Sequence, residues 1–368
     1  MLTGKREMAH RVVARGLSWL PAAVVMPAAL VLSLPDRTAA QDVAGHFKGK
    51  RVTIIVGTSP GGGYDVLARL VARFGAKYLP GAPDFVVQNV PGGGQLRGLR
   101  ATMKAKPDGL TVGLLNPRFV QRRLVGIDVP DFDLEAVRVL GSPSGGARRE
   151  RMVCARRDIA TSWAEVVKLG RPLKSGGIER AGSSSLGPEF VELIGGPIKV
   201  VFGYGGGSEV MAAFDRGELE ITERCTEEYV PRLFPEWIKK KILAPLFWWE
   251  ATPSEDWLRR IGASAPPHLF DAVKVTEDQK KAFELGVAFG TVMGRVFVMP
   301  GGVPDNIYQA WKKAFEETVR DPGFLEGAKV AGVEVGLATA EDFARVIQTY
   351  RELSPAGRDV FKRLVGEP

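Results

Sequence analysis

Two glycine-rich segments hold the residues best suited to chemistry. The first is Ser59-Pro60-Gly61-Gly62-Gly63-Tyr64-Asp65 and the second is Tyr204-Gly205-Gly206-Gly207-Ser208. Glycine lets the backbone turn sharply and brings bare N–H groups close to another group. A helix-like pattern follows each segment, and a helix start adds partial positive charge at the same spot. Donors are the N–H groups of Gly61, Gly62, Gly63, Gly206 and Gly207 and the hydroxyls of Ser59, Ser184, Ser208 and Tyr204. The set suits an anion held from two sides. A carboxylate gains about 0.3–1 kcal/mol at an exposed helix start and up to about 2 kcal/mol when partly buried. Two starts fall short of the roughly 8 kcal/mol of micromolar binding. Hydrogen bonds to the charged group, about 1.5–3 kcal/mol each, must supply the remainder. One such loop alone reads as a tight turn; a matched pair with hydroxyls beside both suggests a ligand.

A rival chemistry is nucleophilic. Gly57-Thr58-Ser59-Pro60-Gly61 matches G-x-S-x-G in a strand–turn–helix setting, which would make Ser59 an esterase nucleophile with His268 as base. The oxyanion hole of that design needs the N–H of the next residue, which is Pro60 and has none. No phosphate-binding G-x-x-x-x-G-K-[ST] loop and no G-x-G-x-x-G fingerprint stands at the first turn. The cysteines and histidines show no metal spacing, and no cofactor is expected.

The elements that must position these loops are legible. Val52–Val56 is β-branched and apolar, as a buried parallel strand should be. Asp65 opens a helix with Leu67, Leu70, Val71, Phe74 and Tyr78 on one face, ended by Pro80-Gly81. Strand Phe85–Gln88, the loop Pro91–Gly94, a helix towards Lys106 and strand Leu110–Leu115 follow. This βαβαβ order predicts a parallel sheet covered by helices. The theme restarts near Ala155. Ser162 to Glu165 reads as a capping box, Leu186 to Ile194 as a helix, Lys199–Phe202 as a strand before the second loop, and Gly217 as a helix stop. Glu277–Ala288 is expected to be helical, Arg295–Met299 a strand, Asp305 the cap of a long helix and Thr339 the start of a last one.

The chain has 368 residues, 45% of them hydrophobic and 25% charged, enough for two domains with full cores. Residues 1–40 differ: Lys5, Arg6, Arg11 and Arg15 precede an apolar run from Leu17 to Leu34 broken by Pro21 and Pro27, then Thr38-Ala39-Ala40. This is the layout of a secretory signal peptide, cleaved near Ala40. Without its five basic and two acidic residues the remainder is +5, not +8. The basic residues are scattered, so a nucleic-acid partner is not expected. Cys154 and Cys225 read either as two buried thiols or, in an oxidising compartment, as one disulfide.

From about Lys50 to Ile347 the chain resembles the extracytoplasmic solute receptors of tripartite tricarboxylate transporters. The marks are V-T-I-I-V-G-T-S-P-G-G-G-Y-D (52–65), Gln88-Asn89-Val90-Pro91-Gly92-Gly93-Gly94, Pro107-Asp108-Gly109-Leu110-Thr111, Phe202-Gly203-Tyr204-Gly205-Gly206-Gly207 and Met299-Pro300-Gly301-Gly302-Val303-Pro304. The resemblance implies an α/β, two-domain, class II periplasmic-binding-protein-like fold with mostly parallel sheets and a hinge of two crossing strands. Domain one would comprise 48–150 plus 246–368, and domain two 151–245. It implies a monomeric, non-catalytic periplasmic receptor that closes on a small carboxylate and hands it to a large and a small membrane subunit. Presentation of the ligand to a sensor protein is the alternative. The expected contacts are Ser59, Gly61, Gly62, Gly63, Asp65, Asn116, Ser183, Ser184, Tyr204, Gly206, Gly207 and Ser208. The chain departs from the family at Leu186-Gly187-Pro188-Glu189, where a histidine is common, and at Gly205, where a basic residue is common. In this fold two strands cross side by side between domains. The segments holding Cys154 and Cys225 are expected to be that pair, joined by a disulfide that stiffens the hinge.

Overall fold

Each glycine loop follows a strand and opens a helix. The computed structural model describes residues 37–368 except 62, 147–148, 178–184, 205–206, 228, 334 and 367–368. The expected leader up to residue 36, and Gly62, Ser183, Ser184 and Gly206, lie outside the described residues. A helix at Arg37–Phe47 precedes the first strand. Its Val43 and Phe47 are buried in the core, and His46 Nε2 lies 2.7 Å from the Asp108 carbonyl, so the packed structure begins before residue 48. No helix among the described residues is long and apolar enough to cross a membrane.

Eleven strands form two sheets among the described residues. In chain order they are β1 Arg51–Val56, β2 Asp84–Asn89, β3 Thr111–Leu115, β4 Arg138–Ser142, β5 Glu150–Arg156, β6 Leu173–Gly177, β7 Ile198–Phe202, β8 Ile221–Thr222, β9 Leu243–Glu250, β10 Val296–Met299 and β11 Ala338–Thr339. One sheet has the order β11-β4-β10-β3-β1-β2, the other β7-β6-β8-β5-β9. Chain connections therefore pass between the sheets twice, from β4 to β5 and from β9 to β10. The pairs β1–β2, β1–β3, β6–β7 and β6–β8 are parallel, as the strand–loop–helix units require. Strands that return from far along the chain pair antiparallel: β10 with β3 and β4, β11 with β4, and β5 with β8 and β9. The sheets are thus mixed rather than mostly parallel, because only the local crossover units impose the parallel sense.

The helix Gly63–Gly75 buries Leu67, Ala68, Leu70 and Val71 against Val52, Ile54 and Val56 of β1, joined by Ile307, Trp311 and Phe315 of the helix Asp305–Arg320. Each such side chain stabilises by about 1.5–3 kcal/mol when fully buried. That helix starts after Pro304, and Asp305 is its first residue rather than its cap. At Ser162 half of the expected capping box forms. The Ser162 hydroxyl accepts the Glu165 N–H at 3.3 Å, while the Glu165 carboxylate accepts the N–H and hydroxyl of Thr161. The full box stands at Thr339 and Asp342. The chain continues beyond the expected last helix with another at Pro355–Leu364.

Cys154 and Cys225 are joined by a disulfide with Cα atoms 6.1 Å apart. Cys154 lies on β5. The strand paired with β5 from Glu150 to Arg156 is β9, and Cys225 follows β8 outside that pair. The bond therefore ties β5 to the β8 side of its own sheet. It closes a loop of 71 residues, for which chain entropy gives about 4 kcal/mol. The Cys154→Ala, Cys225→Ala double variant should lose stability of that order in urea, with reductant no longer shifting its midpoint; an unchanged midpoint would deny the bond a stabilising role.

Candidate functional site

The first glycine loop is closed by Asp65. This carboxylate is only 2% exposed and accepts the Gly61 N–H at 2.9 Å, Arg69 Nε at 2.9 Å and Asn89 Nδ2 at 3.0 Å. Asn89 Nδ2 also donates to the Thr58 carbonyl. Burial alone would raise the Asp65 pKa; the bonds from Arg69, Gly61 and Asn89 outweigh it and hold the value at about 2. Gly61, with φ of +88°, adopts the left-handed turn that this closure needs. Gly98 lets the helix Leu96–Met103 approach the loop: a Cβ there would stand 2.6 Å from the Gly57 Cα. That approach seats Gln95 against Gly57.

Beside this loop lies a cavity of about 260 Å³. Tyr64, Gln95, Asn116, Pro117, Arg118 and Gln121 line it from the β1–β3 side. Ser144, Arg149 and Arg151 come from the connection into β5 and from β5 itself; Trp249 and Glu250 end β9. Leu186 and Gly286, Val287, Phe289, Gly290, Thr291, Gly294 and Arg295 complete the wall. The cavity therefore sits where the chain passes between the sheets. Among the described residues four guanidinium groups, Arg118, Arg149, Arg151 and Arg295, and one carboxylate, Glu250, line it, a positive excess. Arg295 reaches the first loop. Its Nη2 stands 2.7 Å from where a Gly63 Cβ would be, and its Cζ lies 5.9 Å from the Tyr64 ring centre.

The backbone is strained here. Six non-glycine residues have positive φ among those described, and three of them, Gln95 (78°), Glu250 (76°) and Arg295 (66°), line this cavity. Each costs about 1–3 kcal/mol and persists only where surrounding contacts enforce it. Glu250 shows such contacts: its Oε1 accepts the Arg149 N–H at 3.2 Å and the Thr291 hydroxyl at 3.0 Å.

Arg151 joins the cavity to a buried acid. Its Nε lies 3.7 Å from Glu250 Oε2 and its Nη1 3.9 Å from Glu223 Oε1. The Glu223 side chain is 2% exposed, and among the described residues no close hydrogen-bond partner meets either oxygen; the Gly187 N–H is the backbone donor that bears on it. Burial pushes its pKa up to about 8; Arg151 and Arg224 pull against that rise, and the Glu189 charge adds to it. Arg224 then leads to the second glycine loop, because a Gly207 Cβ would fall 2.2 Å from its Cζ. The Arg224 guanidinium also lies 5.0 Å from the Tyr229 ring centre.

The expected site residues fall in different places. Asn116 lines the cavity while its side chain accepts the Arg118 N–H at 3.0 Å and starts the helix Pro117–Leu124. Gly61 and Asp65 bond each other, and Gly63 underlies Arg295. Ser59 and Ser208 are exposed. Tyr204 is half-buried over Gly176, and Gly207 opens the helix Gly207–Asp215. None of these lines the cavity except Asn116. Gly62, Ser183, Ser184 and Gly206 lie outside the described residues. His268 is the N-cap of a short helix, its Nδ1 accepting the Phe270 N–H at 3.2 Å. The four arginines, Gln95, Glu250 and Thr291 were not anticipated. Arg118 follows Asn116-Pro117 and Arg295 directly precedes β10, yet no local spacing links either to Arg149 and Arg151.

Two acids give opposite pH signatures. Asp65 titrates below its ordinary value of 3.8, so its contribution, at most about 2 kcal/mol, is present above that value and is lost as pH falls towards 2. Asp65→Asn should lower the urea midpoint at pH 7 and leave it unchanged near pH 2. Glu223 titrates above its ordinary 4.5, so the native chain holds the extra proton between about 4.5 and about 8 and stability falls as pH rises across that window. Glu223→Gln should flatten the slope; an unaltered slope would remove Glu223 as its source.

No protein-family model matches the chain, and no curated protein matches it. Solved structures do. A TctC solute binding protein from Polaromonas aligns with a TM-score of 0.59 at 16% identity, over 85% of this chain and 98% of that one. The periplasmic binding protein BugD aligns with a TM-score of 0.55 at 19% identity, over 86% and 98%. An R. palustris protein solved with adipate aligns with a TM-score of 0.52 at 19% identity, over 86% and 97%. At these identities the likeness establishes the fold: two helix-flanked sheets in the periplasmic-binding-protein arrangement.

Proposed function

We propose that this chain is a solute receptor of the tripartite tricarboxylate transporter type, which captures a small carboxylate between its two sheets. The observation that carries the reading is the convergence of Arg118, Arg149, Arg151 and Arg295 on one cavity at the crossing between sheets. Charge-assisted bonds from guanidinium to carboxylate are among the strongest available to a protein and suit two-oxygen groups. Buried polar atoms without a hydrogen-bond partner among the described residues support it, among them Gln95 Oε1 at the cavity and Arg224 Nε under the second loop. The fold likeness to a solute binding protein and to a protein solved with adipate agrees.

In this reading domain one is 48–150 with 246–368 and domain two is 151–245, and they close on the ligand about β5 and β9. The two glycine loops act through the arginines that they admit. Gly63 makes room for Arg295 and Gly207 for Arg224, and the expected contacts Ser59, Gly62, Ser183, Ser184, Tyr204, Gly206, Gly207 and Ser208 would reach the ligand only on closure. Residues 1–40 direct export, the monomeric receptor works in the periplasm without catalysing a reaction, and delivery is to a large and a small membrane subunit.

A thermal-shift screen over mono-, di- and tricarboxylates tests the reading, since a ligand at 100 times its Kd stabilises by about 2.7 kcal/mol. Gly63→Ala should leave the fold intact, because the nearest atoms to its Cβ belong to the far end of the Arg295 side chain, while carboxylate affinity falls several-fold. Arg295→Gln should lower affinity about tenfold, or about 1.4 kcal/mol. No shift with any acid, or unchanged affinity in both variants, would sink the proposal.

A further inference from the structure

We infer that the acid captured here carries an apolar, ring-sized body and a single carboxylate, rather than the compact polyacid that four arginines would suggest. The inference rests on the carboxylate reading above and names the ligand class. Its ground is the rest of the same wall. Leu186, Trp249, Val287 and Phe289 line the arginine cavity, and all but Val287 are buried. A hydroxylated di- or tricarboxylate leaves such a surface without a partner, whereas an apolar body covers it. Space permits the body: an apolar void of about 150 Å³ accepts benzene, and this cavity measures about 260 Å³.

A second cavity, of about 590 Å³, adjoins the first. Trp249, Glu250, Val287 and Thr291 line both, so they form the common partition. On the far side four apolar residues, Phe270, Phe283, Ala288 and Val292, stand with His268, Lys280, Asp271 and Glu284. Its two carboxylates against one lysine do not favour a second carboxylate. The Lys280 Nζ lies 5.6 Å from the Phe270 ring centre, and Asp271 and Glu284 are exposed. An acid head among the arginines and a tail passing Trp249 and Val287 fits both chambers, with cation and apolar surface each matched. The Thr291–Glu250 hydrogen bond stands on that partition, at 3.0 Å.

The test is calorimetric titration of the full folded chain with 4-phenylbutyrate, succinate and citrate. The expected result is 4-phenylbutyrate bound at least tenfold more tightly than either compact acid. Ala288→Phe, which narrows only the second cavity, should weaken 4-phenylbutyrate at least fivefold and leave succinate within twofold. If succinate or citrate binds as tightly as 4-phenylbutyrate, the apolar body is overturned while the carboxylate reading stands. If Ala288→Phe, shown folded by its melting curve, leaves 4-phenylbutyrate affinity unchanged, the tail does not enter the second cavity and the inference fails in that form. If none of the three acids binds, the inference fails, while the carboxylate reading falls only if the wider thermal-shift screen is also blank.

Discussion

The charge on Arg151 is the constraint around which the crossing between sheets is built. Its side chain is 16% exposed and stands between Glu223 and Glu250, two acids that are more buried still. Removing an ion from water costs several kcal/mol unless partners replace the water. Both partners here sit near the longer limit of an ion pair, at 3.9 and 3.7 Å, and Glu223, its pKa raised to about 8 by burial, is protonated near neutral pH. The guanidinium borders a cavity with three further arginines. The carboxylate proposed as ligand would meet concentrated positive charge there.

The strained residues follow from the same demand. A Glu250 in an ordinary extended conformation would continue β9 and direct its side chain by strand alternation. The left-handed turn at Glu250 instead ends the strand and lets the carboxylate meet the Arg149 N–H, the Thr291 hydroxyl and Arg151 together. Arg295 turns in the same sense immediately before β10 and brings its guanidinium over Gly63. The absence of a side chain at Gly63 and the turn at Arg295 are two halves of one fit.

Local signals in the sequence made much of the fold legible. β1, β2, β3 and β7 read from their β-branched runs, and the helix Gly63–Gly75 from its apolar stripe, because those patterns are complete within a dozen residues. The pairing of β5 with β9 and of β10 with β4 depends on residues far apart, and the expectation of mostly parallel sheets gave way there. The helix Pro355–Leu364 carried a readable start, Ser354 before Pro355, and an inward face of Val360, Phe361 and Leu364, yet went unread. The site was less legible than the fold. Glycine loops stand out as words, whereas Arg118, Arg149, Arg151 and Arg295 reach one cavity from three separate stretches of chain. Each alone is indistinguishable from a solvated surface charge.

The helix Glu277–Val292 contributes Phe283 to the same apolar cluster as Phe190, Phe247 and Trp249 of the five-stranded half, and Leu364 joins them from the final helix. The halves therefore share grease as well as two covalent crossings. Wide separation of the two halves would wet several aromatic rings at once, a cost that small sliding rotations avoid. The receptor proposed above would therefore admit its solute with the aromatic pivot still under cover.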